Sequence, residues 1–335
     1  MRRNITVFGG SGFIGRHLVR RLVKQGFEVR VAVRDIEAAQ YLKPFGEIGQ
    51  VVLWQTDIKD PAQVATAVAG ADYVVNLVGK LYESGKNTFT AVHVDAAKTI
   101  AEAANAAGVQ RLIQISALGA NKEAESVYAQ TKALGEEAVL AAFASATILR
   151  PSIIFGPEDG FFNLFAGIAR FTPVLPVFGC PFLPKVTFGG DNGISLDFYG
   201  DGGTKFQPVY VGDVADAIMA ALSSNDAKGK TYELGGPTVY SFKQIMELLL
   251  RYTGRKKLLA PIPFELAMID AFFIQMLPKP IMTCDQVTLL KSDNVVSIGA
   301  ETFKALGIQP TTAETILPTY LHRFRTSKSQ DVQSA

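Results

Sequence analysis

Ile5-Thr6-Val7-Phe8-Gly9-Gly10-Ser11-Gly12-Phe13-Ile14-Gly15 opens the chain with a short apolar run and three spaced glycines, and His17 to Val23 continues it in a helical pattern. Strand, glycine turn and helix in that order are the context that gives a glycine motif meaning. Gly9 serves the tight turn, Gly12 lets the backbone approach a pyrophosphate, and Gly15 lets the helix pack against the strand. The helix N-terminus adds free N–H groups and a partial positive charge that suit phosphate. The segment therefore predicts a dinucleotide cradle formed by Gly9, Gly10, Ser11, Gly12, Phe13, Ile14 and Gly15.

Outward from this turn, short β-like runs alternate with helical patterns. Val29–Val33, Val51–Trp54, Tyr73–Leu77 and Leu112–Ile115 read as strands, and Ile148 to Pro151 ends a sixth. Ala62 to Val68 and Phe89 to Ala107 read as helices between them. Such alternation predicts an α/β protein with a Rossmann-type doubly wound parallel sheet, and ligands at the carboxyl ends of its strands. Residues 1–150 form the expected NAD(P)-binding domain, with parts of 205–235 packing onto it. Residues 151–325 form a smaller C-terminal α/β lobe for substrate or partner, and 326–335 a disordered tail. In that lobe Pro208–Val211 reads as a strand, and Gly212–Leu222 and Phe242–Tyr252 as helices. Residues 171–204, rich in Pro and Gly with little periodicity, read as an irregular insertion.

Composition narrows the function classes. The 335 residues carry a net charge of +2, which gives no support for nucleic-acid binding. Two cysteines far apart, Cys180 and Cys284, point to a reducing compartment without a disulfide framework. His17, His93 and His322 lack metal-ligand spacing, so no metal is expected. No signal peptide is visible, and no run reaches the ~18–20 apolar residues of a spanning helix. Mean hydropathy is nevertheless high for a soluble enzyme. Phe264 to Leu277 is apolar almost all round a helix, which means a core element or a face for a partner or membrane surface.

The nucleotide is read from the end of the second strand. An acidic residue there binds the ribose hydroxyls and repels a 2′-phosphate. Arg34 stands in that place, followed by Asp35. A guanidinium forms charge-assisted, bidentate bonds with phosphate, so NADP(H) is preferred and NAD(H) is the alternative. Asp57 and Ile58 follow the third strand toward the adenine, and Leu77, Val78 and Gly79 pass close to the cofactor. Tyr128 and Lys132, four apart after the fifth strand, share a helix face. A lysine ammonium there favours the phenolate, and Tyr128 then serves as proton donor or acceptor in hydride transfer.

Glycines 9, 12 and 15 with Tyr128 and Lys132 resemble the short-chain dehydrogenase/reductase superfamily. Arg150-Pro151, Phe155-Gly156-Pro157 and Pro208-Val209-Tyr210-Val211-Gly212-Asp213-Val214-Ala215 resemble its extended, epimerase-like branch. The resemblance implies that Ser116, Tyr128, Lys132 and Pro151 also touch the cofactor, with Ser116 the third catalytic candidate. A narrower similarity runs through Asn76–Gly79, Tyr82–Phe89, Leu277–Pro280 and Asp285–Ser297. These segments resemble the bacterial form of the NAD(P)H-binding accessory subunit of respiratory complex I. That resemblance implies complex I subunits as partners, a structural NADPH, and a peripheral place on the cytoplasmic side of the bacterial inner membrane, or the matrix side in mitochondria. A related branch is linked to coenzyme Q biosynthesis, which keeps an active NADP-dependent reductase or epimerase as the alternative.

One departure separates the two readings. The extended branch carries a working hydroxyl about two residues past the first serine after the fifth strand. In Ile115-Ser116-Ala117-Leu118 that place is Leu118, which cannot hydrogen-bond; Ser126 is the available substitute. The cofactor site thus reads as intact and the substrate-polarising site as damaged.

Overall fold

The computed structural model describes residues 3–188 and 194–325, and the expected C-terminal tail lies outside them. The chain divides into two compact units. The first holds residues 1–151, 211–235 and 296–310, and the second 152–210, 236–295 and 311–335.

The first unit is built on seven strands: β1 (Asn4–Phe8), β2 (Glu28–Val33), β3 (Val51–Gln55), β4 (Tyr73–Asn76), β5 (Arg111–Ile115), β6 (Thr147–Pro151) and β7 (Thr231–Leu234). Their order is β7-β6-β5-β4-β1-β2-β3 and every pairing is parallel. A doubly wound sheet of this order reverses between β1 and β4, where the crevice for a ligand opens. β4 and β5 are buried along their whole length, because helices cover both faces of a parallel sheet. The helices are α1 (Phe13–Lys24), α2 (Pro61–Val68), α3 (Ala96–Ala106), α4 (Val127–Ala142) and α5 (Val211–Ser223). On one face, Val64, Ala67 and Val68 of α2 join Ala97, Ile100, Ala101 and Ala104 of α3 in a core with Phe8, Val74, Leu112 and Ile148. The alanines let α3 lie close to its neighbours, and Leu112 and Ile148 fill the space from the sheet.

Two local features differ from the sequence reading. The helix expected over Phe89–Ala107 opens with a π-helical turn, Thr90–Asp95, before α3 begins. Such turns accommodate an extra residue and recur at functional sites. β7 has only four residues, too few for a periodicity to be read from Thr231-Tyr232-Glu233-Leu234.

The second unit has a separate core. Phe155, Phe162, Phe165, Phe206 and Phe242 are buried in it, with Ile245, Met246 and Leu249 from the helix Phe242–Thr253. That helix starts with a capping box, in which the Ser241 hydroxyl accepts from the Gln244 N–H while the Gln244 side chain accepts from the Ser241 N–H. The insertion expected to be irregular over 171–204 contains regular structure. Val174–Phe178 pairs in parallel with Leu258–Ile262, and Lys185–Phe188 pairs antiparallel with Ile194–Asp197. Leu175 and Val177 alternate inward to full burial, a period-two pattern that Pro173, Pro176 and the adjoining glycines obscured.

The helix Phe264–Ile274 settles against its unit by one narrow side. Only Ala267 and Ala271 are buried, within a small cluster that includes Val287. Leu266, Ile269, Phe272 and Phe273 fall on the opposite arc and are exposed, Phe273 at 65%. At 100° per residue these four side chains span about 120° of the helix surface. No helix among the described residues is long and apolar enough to cross a membrane.

Candidate functional site: a dinucleotide cradle beside Tyr128 and Lys132

Gly9 leaves β1 with φ of 76°, in the region glycine occupies without cost. A Cβ on Gly9 would sit 3.2 Å from the Leu77 carbonyl carbon and the Val78 nitrogen, so the glycine turn abuts the loop after β4. Gly15 is required by packing, since a Cβ there would come within 2.4 Å of the Gly10 Cα and carbonyl oxygen. A Cβ on Gly12 would meet only the Gly9 oxygen, at 3.2 Å. Gly12 is the N-cap of α1, and no side chain caps it and no acidic residue lies in the first turn. The first N–H groups of α1 have no carbonyl partners within the helix, and their dipole attracts an anion. The Ser11 carbonyl is held by the Tyr41 hydroxyl, which donates across 2.6 Å, and the Arg16 guanidinium lies 5.1 Å from the Tyr41 ring centroid.

The loop after β4 is fixed by buried amides. Asn76 Oδ1 accepts from the Val78 N–H at 3.0 Å, and Asn76 Nδ2 donates to Gln114 Oε1 at 2.8 Å. Gln114 Nε2 in turn donates to the Ile115 carbonyl at 3.0 Å. The same carbonyl accepts from Lys132 Nζ at 3.1 Å. A Cβ on Gly79 would lie 3.9 Å from that ammonium. The turn Gly9–Gly15, the loop Leu77–Gly79 and Lys132 therefore form one continuous surface at the carboxyl ends of β1, β4 and β5.

α4 begins at the Ser126 N-cap, whose hydroxyl accepts from the Ala129 N–H at 3.4 Å, and it carries Tyr128 and Lys132 one turn apart. The Tyr128 ring is packed edge-on to Phe89 and His93, with centroids 5.8 and 5.3 Å away. Burial pushes the Tyr128 phenol up to about 12. Burial also pushes the Lys132 ammonium down to about 8, against the pull of Glu136. Both shifts are desolvation effects of the buried helix face. Glu136 is itself held by Arg150 in two bonds of 2.9 and 2.6 Å.

The other expected site residues fall as follows. The Ser116 hydroxyl oxygen is buried without a hydrogen-bond partner, as suits a group waiting for a polar ligand atom. Pro151 ends β6 and its carbonyl accepts from the Leu118 N–H at 3.0 Å. Leu118 itself is 4% exposed, a core side chain at the hydroxyl position. Arg34 and Asp35 follow β2 and are exposed, and Asp35 accepts from the Ala38 N–H at 3.1 Å. Asp57 after β3 is exposed, and its carboxylate accepts from the Lys59 N–H at 3.0 Å. Ile58 packs against the alanine-rich core. Sequence spacing does not bring His93 into this group. It is buried on the π-helical turn, 3.1 Å from the Lys80 N–H and 3.1 Å from Thr131 Oγ1. The resident group these residues fit is a dinucleotide: the α1 N-terminus carries no side-chain cap, close-approach glycines precede it, and the buried Ser116 hydroxyl after β5 has no partner.

Comparison with known proteins agrees with this architecture. The pattern of the NAD dependent epimerase/dehydratase family matches residues 5–235. NADH dehydrogenase [ubiquinone] 1 alpha subcomplex subunit 9, mitochondrial, of Arabidopsis thaliana is 37% identical over 317 residues, covering 91% of this chain and 74% of the relative. The Mus musculus protein of the same name is 33% identical over 323 residues, covering 96% and 80%. Among solved structures, the NADPH-dependent quinone oxidoreductase QOR2 of Escherichia coli, complexed with NADPH, superposes with a TM-score of 0.71 at 19% identity. That match covers 96% of this chain and the whole of the other, and it speaks to the fold.

Proposed function

The chain belongs to the NAD dependent epimerase/dehydratase family and to the family of the mitochondrial alpha subcomplex subunit 9 proteins, and from that premise we propose that it is an NADP(H)-holding accessory subunit of respiratory complex I. What supports this reading is a glycine turn and uncapped helix N-terminus that fit a dinucleotide, together with a core Leu118 where the extended branch carries a hydroxyl. Ser126, the substitute, uses its oxygen as the cap of α4. Tyr128, pushed up to about 12 by burial, stays protonated at neutral pH, which suits a donor and not an acceptor. The cofactor on this account is part of the structure: phosphates on the α1 N-terminus, the nicotinamide end toward Ser116, Tyr128 and Lys132, and the adenosine end toward Arg34, Asp57 and Ile58.

The named relatives are subunits of NADH dehydrogenase [ubiquinone], and the exposed apolar arc of helix Phe264–Ile274 supports a life in an assembly. The place assigned to it is peripheral, on the cytoplasmic face of the bacterial inner membrane or its matrix counterpart. The NADP(H) preference rests on Arg34. Titration of NADPH and NADH is expected to show tighter NADPH binding, and Arg34→Ala is expected to weaken NADPH by ~1.5–3 kcal/mol, the worth of a charged hydrogen bond, with NADH unchanged. Equal affinities in the unaltered protein would refute it.

A second reading, an active reductase or epimerase, is favoured by Tyr128 and Lys132 one turn apart, with the Lys132 ammonium beside Gly79. It requires that Tyr128→Phe abolish a turnover while nucleotide affinity stays the same.

A further inference from the structure

Arg34, Lys59 and Lys80 follow β2, β3 and β4, so all three lie at the carboxyl edge of the sheet. Lys80 is held at both ends. Its main-chain N–H donates to His93 Nε2 at 3.1 Å, and its ammonium donates to Ser84 Oγ at 2.7 Å and to the Asn87 carbonyl at 3.3 Å. Lys59 Nζ reaches the same strap, donating to Asn87 Oδ1 at 3.1 Å. The strap is tight: Ser84 and Asn87 exchange two main-chain hydrogen bonds, and Gly85 turns between them with φ of 54°. Glu83, the carboxylate within the strap, accepts from the Phe89 N–H at 2.7 Å.

Arg34 and Lys59 each repel the Lys80 ammonium. Burial, then the Arg34 charge, push the Lys80 ammonium below its ordinary value, Glu83 acts the other way, and Lys59 adds to the lowering. The carboxylates of the same edge, Asp35, Asp57 and Glu83, each accept from a main-chain N–H, of Ala38, Lys59 and Phe89. An ammonium has three donors, and two of those on Lys80 have acceptors in the strap, which leaves one for a further oxygen.

We infer that Lys80, aided by Lys59, is the second cation for the adenosine 2′-phosphate of NADP(H), opposite Arg34, and that the strap 80–88 is the wall that holds it there. The inference rests on the dinucleotide reading of the glycine turn. A phosphate monoester carries about −1.5 to −2 charge and three acceptor oxygens. Arg34 offers a planar fork to two of them and Lys80 a point charge to the third. Ser84 and Asn87 keep the ammonium in place, so little side-chain freedom is lost on binding.

The test titrates NADPH, NADH, 2′,5′-ADP and 5′-ADP against the full chain, Lys80→Met and the exposed Lys59→Met. The unaltered protein is expected to bind NADPH and 2′,5′-ADP more tightly than their partners without the 2′-phosphate. Lys80→Met is expected to weaken the two 2′-phosphorylated ligands about tenfold or more, as for loss of a charged hydrogen bond, and to leave NADH and 5′-ADP unchanged. Lys59→Met is expected to act in the same direction and less. Equal loss on all four ligands would overturn the inference, since Lys80 would then only tie down the strap. No loss on any would overturn it too. If the unaltered protein binds no dinucleotide, the underlying cofactor reading falls, a result distinct from either.

Discussion

The main-chain N–H of Lys80 donates to Nε2 of His93 across 3.1 Å, and the opposite ring nitrogen of His93 faces Thr131 Oγ1 at the same distance. An imidazole that accepts at Nε2 carries its proton at Nδ1, so the tautomer follows from the Lys80 bond. The Thr131 hydroxyl donates to the Val127 carbonyl at 2.8 Å and so accepts from Nδ1–H. His93 thereby links the strap after β4 to α4, the helix of Tyr128 and Lys132.

This link makes stability depend on acid in a defined sense. Burial, and then the Lys132 charge, push His93 from 6.5 down to about 3. The unfolded chain takes up a proton below pH 6.5 that the folded chain refuses, so stability is lost as pH falls from about 6.5 to about 3. Between pH 6.5 and 4.5 this amounts to roughly 2–3 kcal/mol, at about 1.4 kcal/mol per unit. His93→Gln keeps an acceptor for Lys80 without titrating. Its urea midpoint is expected to fall less over that interval; the same fall in both proteins would show that His93 does not refuse the proton.

Lys132 titrates at the other end of the scale. Its folded value of about 8 lies below 10.5, so the folded chain disfavours the charge, and stability rises as pH rises from about 8 to 10.5. Lys132→Met removes that penalty while Gln114 still serves the Ile115 carbonyl. The variant is expected to melt higher at neutral pH by several degrees, of the order of 1 kcal/mol, and to bind nucleotide more weakly. A lower melting temperature would mean that the Lys132 bond outweighs its burial.

The glycines separate binding from folding. Gly15→Ala forces a Cβ to 2.4 Å from the Gly10 backbone, and loss of several kcal/mol or failure to fold is expected. Gly12 has φ of −79°, which alanine adopts freely, and a Cβ there meets only the Gly9 oxygen. Gly12→Ala is expected to keep its melting temperature within a few degrees and to lose nucleotide affinity at least tenfold, since a methyl group stands where the pyrophosphate approaches. Calorimetry and a nucleotide titration on the two variants check both halves.

The arc on helix Phe264–Ile274 offers a test of assembly. Phe272 and Phe273 are 51% and 65% exposed, so replacing both with Ser removes little buried contact. The double variant is expected to fold with near-unchanged thermal stability and to lose most of its co-migration with complex I in mild detergent. Co-migration undiminished would place the docking face elsewhere.

The sequence made the first unit legible because its signals are local. Ile5–Gly15 shows strand, turn and helix within eleven residues, and each of β1 to β6 has an apolar run to mark it. The mutual placement of Gly9, Leu77–Gly79 and Lys132 follows from strand order, which the alternation already implied. What stayed hidden depends on distance or burial. His93 looks like an ordinary helical residue until the π-helical turn carries it to the Lys80 N–H, 13 positions back. The raised Tyr128 phenol and the lowered Lys132 ammonium are desolvation effects, and spacing carries no information about desolvation. In 171–204, prolines and glycines hid a strand whose partner, Leu258–Ile262, lies more than 80 residues on.

We propose above all that the cradle holds NADP(H) as a part of an assembled subunit. The most direct measurement isolates the native protein from gently solubilised membranes with no nucleotide added, then reads its migration, its nucleotide content and the exchange rate of that nucleotide. Co-migration with complex I and close to one slowly exchanging NADP(H) per chain are expected. A protein migrating alone near its 36.1 kDa mass, with an empty or rapidly exchanging site, would contradict it.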